Sequence, residues 1–415
     1  MPAVPPRCAH FGACGGCQWQ DVPYAEQLKR KRSALETLLA GAVPARPRVV
    51  APVVAMPVGD DGMPWGFRHK AAFVFDNGPR GLTMGHFAAG GRSIVPVHEC
   101  PVHGARANRI AFRLYDELAR ARVTAAGPRL DGVLRHVIIR TSADERDAVA
   151  LLVVTGNAPS LRRPVRALLA SPDRPDGMFL NIHDQPSPYM VGRTTVRLDG
   201  HAHVRERCAG PTFLVSPTAF FQTNPTAAAA LVELVLAAAD GERLRVLDLY
   251  AGSGLFALPL AMRGHAVMAV EENRQAVQDA ARNVELNRID DRTVRFLAAR
   301  VEDALITLER RAVDLVVLDP PRQGCPPRVL DTVFGRIQPP RAVYVSCNPE
   351  ALANELPAIL AHGYRVSRVQ PVDMFPHTPH VEAVAVLDRQ TRPKRPPPAG
   401  PPPVPRRDAR MRRRR

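Results

Sequence analysis

The chain has 415 residues, 46% of them hydrophobic, and carries 56 Lys and Arg against 40 Asp and Glu, a formal net charge of +16. That length supports two or three domains with cores large enough to fold without covalent staples. No stretch approaches the ~18 uninterrupted apolar residues of a membrane span, and Met1–Pro6 lacks the basic head and apolar run of an export signal, so no membrane association and a cytoplasmic location are expected. Of the +16, +10 lies in residues 389–415, leaving +6 on the rest, an excess that favours a polyanionic partner. Arginine accounts for 52 of the basic residues, which suits guanidinium contacts with phosphate and is equally explained by a GC-rich coding bias.

Residues 1–20 crowd Cys8, Cys14 and Cys17 into a Gly-rich segment, followed within 21–44 by an amphipathic, basic helix pattern at Tyr24–Leu39 that can pack on a neighbouring domain. From 45 to 210 short β-like runs (Ala71–Phe75, Val137–Arg140, Ala148–Val154, Met178–Ile182) are separated by helical patterns near 103–122 and 160–170, which predicts a mixed α+β domain. Across 211–388 strands and helices alternate. Strands are predicted at Arg245–Tyr250, Ala266–Glu271, Thr293–Ala298, Leu315–Asp319, Ala342–Ser346, Arg365–Val372 and Val381–Leu387, a rhythm that predicts a parallel, doubly wound α/β sheet. The stretch 389–415, with eight prolines and four terminal arginines, cannot bury a core and is expected to be disordered.

The run Asp248-Leu-Tyr250-Ala-Gly252-Ser-Gly254 passes from a buried strand into a helix through two glycines, so a ligand can approach the backbone at the strand's carboxyl end. Glu271, 23 residues after Asp248, stands where ribose hydroxyls are gripped. Ala257 replaces the third glycine of the dinucleotide pattern, so an adenosine without a pyrophosphate fits better. Asp319-Pro320-Pro321-Arg322 and Ser346-Cys347-Asn348-Pro349 end two further strands at the same sheet edge. A cysteine there, beside a polar neighbour, has the partial exposure that a reactive thiolate needs, whereas Cys325 in a Pro-rich loop ranks below it. Glu382, set before an apolar strand, would be costly if buried and unpaired, so it is expected to line a cavity as a general base.

Together with Phe221-Gln222-Thr223-Asn224, these motifs resemble, in type and order over 216–387, the RNA 5-methyluridine (uracil-C5) methyltransferases. The resemblance implies a class I, Rossmann-like S-adenosylmethionine methyltransferase domain joined to an N-terminal and central α+β iron–sulfur domain. It implies that Cys347 is the nucleophile, that Glu382 removes the C5 proton, and that Gln222, Tyr250, Glu271 and Asp319 contact S-adenosylmethionine. The chemistry explains those residue types. C5 of uracil becomes nucleophilic only after a thiolate adds at C6, and a base must then remove the C5 proton. A uridine within folded RNA must also be flipped out to be reached.

Cys8, Cys14, Cys17 and the distant Cys100 offer four soft ligands, which by type alone suit tetrahedral zinc or an iron–sulfur cluster, with His10, His98 and His103 near in sequence. The resemblance favours a 4Fe–4S cluster with a structural or RNA-positioning role, as in the branch with Cys-x5-Cys-Gly-Gly-Cys that methylates 23S ribosomal RNA. That branch commonly carries an oligonucleotide-binding β-barrel, the TRAM domain, ahead of its cysteines; only seven residues precede Cys8, so this module is expected to be absent. The expected partner is RNA, ribosomal first and transfer RNA second, and the expected state is a monomer. A non-catalytic iron–sulfur RNA-binding factor and an amino-methyltransferase using Asp319-Pro320-Pro321 are the competing readings.

Overall fold

The computed structural model describes residues 3–43, 49–127, 129–187, 189–307 and 313–390. The basic tail expected to be disordered lies, from residue 391 onward, outside the described residues. No helix among the described residues is long and apolar enough to cross a membrane.

Helix α1 (Tyr24–Leu39) leads into a seven-stranded sheet built from β1 (Lys70–Gly78), β2 (Gly81–Phe87), β3 (Ile94–Pro96), β4 (Leu134–Thr141), β5 (Ala148–Val154), β6 (Gly177–Ile182) and β7 (Thr194–Gly200). Its strand order is β3-β2-β1-β4-β5-β6-β7, antiparallel except at β5–β6. Helices α2 (Ala105–Arg120) and α3 (Arg162–Leu169) cover one face, where Ile110, Leu114 and Leu118 meet Phe73, Val137 and Leu152. Strand β5, Ala-Val-Ala-Leu-Leu-Val-Val, is buried along its whole length, as a central strand covered on both faces must be.

A two-stranded ribbon, β8 (Val204–Arg207) and β9 (Thr212–Val215), precedes the second large sheet. There α4 (Pro225–Ala238), β10 (Arg245–Leu249), α5 (Ala257–Met262), β11 (Ala266–Glu271), α6 (Arg274–Leu286), β12 (Val294–Ala298), α7 (Val301–Ile306), β13 (Leu315–Leu318), α8 (Pro327–Leu330), β14 (Arg341–Ser346), α9 (Pro349–Ala361), β15 (Tyr364–Val372) and β16 (Glu382–Arg389) follow in turn. The strands lie in the order β12-β11-β10-β13-β14-β16-β15. Alternate residues of β10, β13 and β14 enter two cores. Val246, Val317 and Val345 face α4 and α5, while Leu247, Val316 and Tyr344 face the side where α9 and the end of α1 pack.

The expectation of a wholly parallel sheet needs correction. Strand β16 runs antiparallel to both β14 and β15. The reason lies in chain length: nine residues separate β15 from β16, too few for the crossover of a dozen or more that a parallel pair requires.

Helix α1, expected to be amphipathic and able to pack on a neighbouring domain, buries Lys31 completely. Its ammonium pairs with Asp373 and donates to the Phe375 carbonyl (2.9 Å), while the Tyr24 hydroxyl donates to the other Asp373 oxygen (2.8 Å). The pair ties α1 to the loop between β15 and β16. Lys31→Met should therefore strand a buried carboxylate and cost about 3–5 kcal/mol, whereas Lys31→Met with Asp373→Leu should recover most of it. Urea unfolding of the two variants measures the difference.

Candidate active site

Strands β10, β13 and β14 are parallel and in register, Leu249 beside Leu318 and Leu318 beside Tyr344, so the residues following them emerge at one edge. Those residues are Tyr250, Asp319 and Cys347. Because β16 is reversed, its first residue lies at this same edge: Ala383 pairs with Ser346, which sets Glu382 beside Cys347. In a parallel arrangement Glu382 would have started at the far edge.

Two turns are fastened together beneath the thiol. Asn348 caps α9 by accepting from the Glu350 amide (3.2 Å), and its side-chain amide donates to the Arg322 carbonyl (2.9 Å). Glu382 is 2% exposed, and its Oε2 has no hydrogen-bond partner. Burial, reinforced by Asp319, pushes its carboxyl up to about 8, against the opposing pull of Arg322. Asp319 is raised by burial to about 7. Cys347, half-buried, is pushed up to about 11 by burial and then by the two carboxylates, with Arg322 again opposing. The thiol and the two acids thus titrate as a coupled group. Cys325, by contrast, is 6% exposed and raised to about 12 by burial beside Glu355.

Next to them the Gly-rich turn is strained in a directed way. Tyr250 adopts φ +65°, rare for a residue with a side chain, and its buried hydroxyl has no hydrogen-bond partner. Gly254 takes φ +95°, and a Cβ there would stand 2.2 Å from Leu258 Cδ1. Glu271 shapes the turn, accepting from the Gly252 amide (2.9 Å) and the Asn273 amide (2.7 Å).

Asp248 was legible only as part of the motif, yet it is fully buried with neither oxygen in a hydrogen bond of normal geometry. Burial, Asp319 and Glu271 hold its carboxyl well above the usual range, and the Ala257 amide offsets this only in part. Three acids therefore converge near one edge of the sheet, an arrangement suited to a cationic ligand that carries hydroxyls. Gln222 lies on the segment ahead of α4. Asn224 of that segment caps α4 and donates to the Met374 carbonyl (3.1 Å), tying the segment to the loop that leads to Glu382. Among the described residues no hydrogen bond or ion pair links the Gln222 side chain to the acids.

The four predicted cysteine ligands come together elsewhere. Cys8, Cys14, Cys17 and Cys100 line a cavity of about 350 Å³ with His86 and His103. Gly15 pins the cysteine segment to the end of β2 by donating to the Phe87 carbonyl (2.9 Å). The Gln18 and Trp19 amides both donate to the carbonyl of buried His377 (2.8 and 3.0 Å), five residues before Glu382. His377 itself is a packing residue, stacked on Trp65 at 4.4 Å and bonded to Gln27. Sequence reasoning missed this brace, since no local pattern joins residue 18 to residue 377.

A doubly wound sheet with a Gly-rich turn and converging acids suits a nucleoside-bearing ligand at the carboxyl edge of its strands. Residues 212–390 match the family model described as tRNA (Uracil-5-)-methyltransferase. The chain is 36% identical over 400 residues to an uncharacterized RNA methyltransferase of Gloeobacter violaceus, covering 92% of this chain and 82% of that protein. It is 33% identical to one of Thermosynechococcus vestitus, covering 92% and 84%. Among solved structures it is similar to the tRNA (uracil-54, C5)-methyltransferase of Pyrococcus abyssi in complex with S-adenosyl-L-homocysteine, with a TM-score of 0.72 and 29% identity over 90% of this chain and 85% of that one. The chain belongs to the RNA uracil-5-methyltransferase family.

Because burial raises the Asp248 pKa above its unfolded value, the folded state binds this proton more tightly, and stability falls as pH rises past about 4. Asp248→Asn should remove that loss. In thermal unfolding scans without ligand, the variant's midpoint should overtake wild type between pH 4 and 8, by the equivalent of about 1–3 kcal/mol.

Proposed function

We propose that the chain methylates C5 of a uridine in RNA through a covalent bond between Cys347 and C6 of the base. The juxtaposition of Cys347 and Glu382 at one sheet edge carries this reading. The thiol gives its proton to water, with Arg322 favouring the thiolate, and its sulfur adds to C6. The ring electrons then make C5 nucleophilic. S-adenosylmethionine, when bound, supplies the methyl group; Asp248, Glu271, Asp319, Tyr250 and Gln222 line or flank its place. Glu382 takes the C5 proton, the C6–S bond breaks, and the double bond returns. A carboxyl raised to about 8 by burial is a stronger base than an ordinary one and is matched to this task near neutral pH.

The proposed RNA is 23S ribosomal RNA, on the strength of the cysteine signature. Transfer RNA is the second reading, favoured by the likeness to the Pyrococcus abyssi enzyme. Transcripts of both RNAs containing 5-fluorouridine cannot release a C5 proton, so wild type with S-adenosylmethionine should form a denaturant-stable adduct with the 23S transcript. Cys347→Ala should form none, and Glu382→Gln should trap adduct even with ordinary uridine. Adduct on the transfer RNA alone would move the assignment; adduct in Cys347→Ala would end it.

The four cysteines are proposed to hold a 4Fe–4S cluster. A tetrahedral zinc with Zn–S of 2.3 Å would bring its sulfurs about 3.8 Å apart, yet no three of these thiols lie within 4.8 Å of one another among the described residues. The wider spacing and the cavity they line fit a larger body. A smaller group exists, for Cys100 does lie within that distance of His86 and His103 ring nitrogens. Protein purified without oxygen should be brown with about four irons per chain; a colourless preparation with one zinc would support the Cys100–His86–His103 group instead.

A further inference from the structure

On the face of the first sheet turned away from α2, half-buried Lys70 of β1 stands directly opposite buried Arg140 of β4. Arg68, two residues upstream of Lys70, repels it from the same side. Like charges placed opposite each other across strands are destabilising. Nothing nearby answers them fully. Among the described residues none of the three makes an ion pair within 4 Å, Lys70 makes no side-chain hydrogen bond, and the Nε atoms of Arg68 and Arg140 are buried without partners. Arg68 also faces Cys17 and Cys100, so its charge is answered from the cysteine cavity. Glu206 and Asp279 act on Arg140 only from a distance, and Glu206 is itself raised to about 7 by burial.

This cationic floor lies under the segment that carries Gln222. Arg140 donates to the Ala219 carbonyl (3.0 Å), and the amide of His69, next to Lys70, donates to the Thr223 carbonyl (2.7 Å). Between those anchors Phe220 is 66% exposed, a large apolar face in water. Cations paired with an exposed aromatic ring are what single-stranded nucleic acid binds, the first through its phosphates and the second by base stacking.

We propose that Lys70, with the charges of buried Arg140 and of Arg68 behind it, binds a backbone phosphate of the RNA substrate, with Phe220 stacking an adjacent base. The inference rests on the RNA-methylating reading above and adds to it a particular anchoring site. A phosphodiester supplies the missing anion, and the cost of holding unpaired cations together in the free protein is recovered when it arrives.

The test uses the full chain with its metal centre and a fluorescein-labelled uridine 20-mer, followed by anisotropy across a salt series, with thermal unfolding in parallel. Lys70→Gln should weaken binding about fivefold at 0.1 M salt and lower the slope of log affinity against log salt by about 0.7, the loss of one phosphate contact on a single strand. Lys70→Arg should restore the slope, and Phe220→Ala should weaken binding without changing it. Lys70→Gln should also unfold at a higher temperature than wild type, because it relieves repulsion. An unchanged salt slope in Lys70→Gln, or weaker binding accompanied by a lower unfolding temperature, would overturn the assignment. Either result would leave Cys347-dependent adduct formation intact, whereas failure of that adduct would overturn the reading beneath it.

Discussion

The site depends on the direction of a single strand. Parallel strands deliver their following residues to one edge, which gathers a turn, an acid and a thiol there but leaves the start of every parallel strand at the other. Reversing β16 is what allows a carboxylate from the start of a strand to stand next to a cysteine from the end of another. The nine-residue link from β15 forces that reversal, and the buried Lys31–Asp373 pair holds the link against α1.

Electrostatic incompleteness is the second organising feature. At the sheet edge Asp248, Asp319 and Glu382 are acids whose carboxyls are raised by burial, and among the described residues none of them makes an ion pair. On the first sheet Lys70 and Arg140 are cations with no ion pair within 4 Å among the described residues. Each region sacrifices stability in the free protein, and each has the opposite sign from the ligand it suits. As proposed, a sulfonium-bearing cofactor at the first and an RNA phosphodiester at the second would meet charges already in place, with little reorganisation on binding.

Much of this was legible in the sequence because it is local. The Gly252/Gly254 turn, the Asp319-Pro-Pro and Cys347-Asn-Pro strand ends and the all-apolar β5 each announce themselves within a few residues. Helix α1 was legible as a helix, since its spacing is helical, but the burial of Lys31 was not, because its partner lies 342 residues away. The direction of β16 was hidden for a related reason: period-2 patterning shows which residues share a face but not which way a strand runs. The same holds for Lys70 and Arg140, ordinary basic residues in two strands until pairing sets them side by side.

The brace at His377 means that the amino-terminal segment and the loop ahead of β16 form a single mechanical unit. Both hydrogens received by that carbonyl come from amides directly after Cys17. Whatever seats or unseats the cysteine loop, whether metal occupancy, oxidation or a proteolytic nick, changes the support under a segment more than three hundred residues downstream. The amino-terminal twenty residues are accordingly a buttress for the strand that begins at Glu382, as well as the place of three of the four cysteines proposed to hold the cluster.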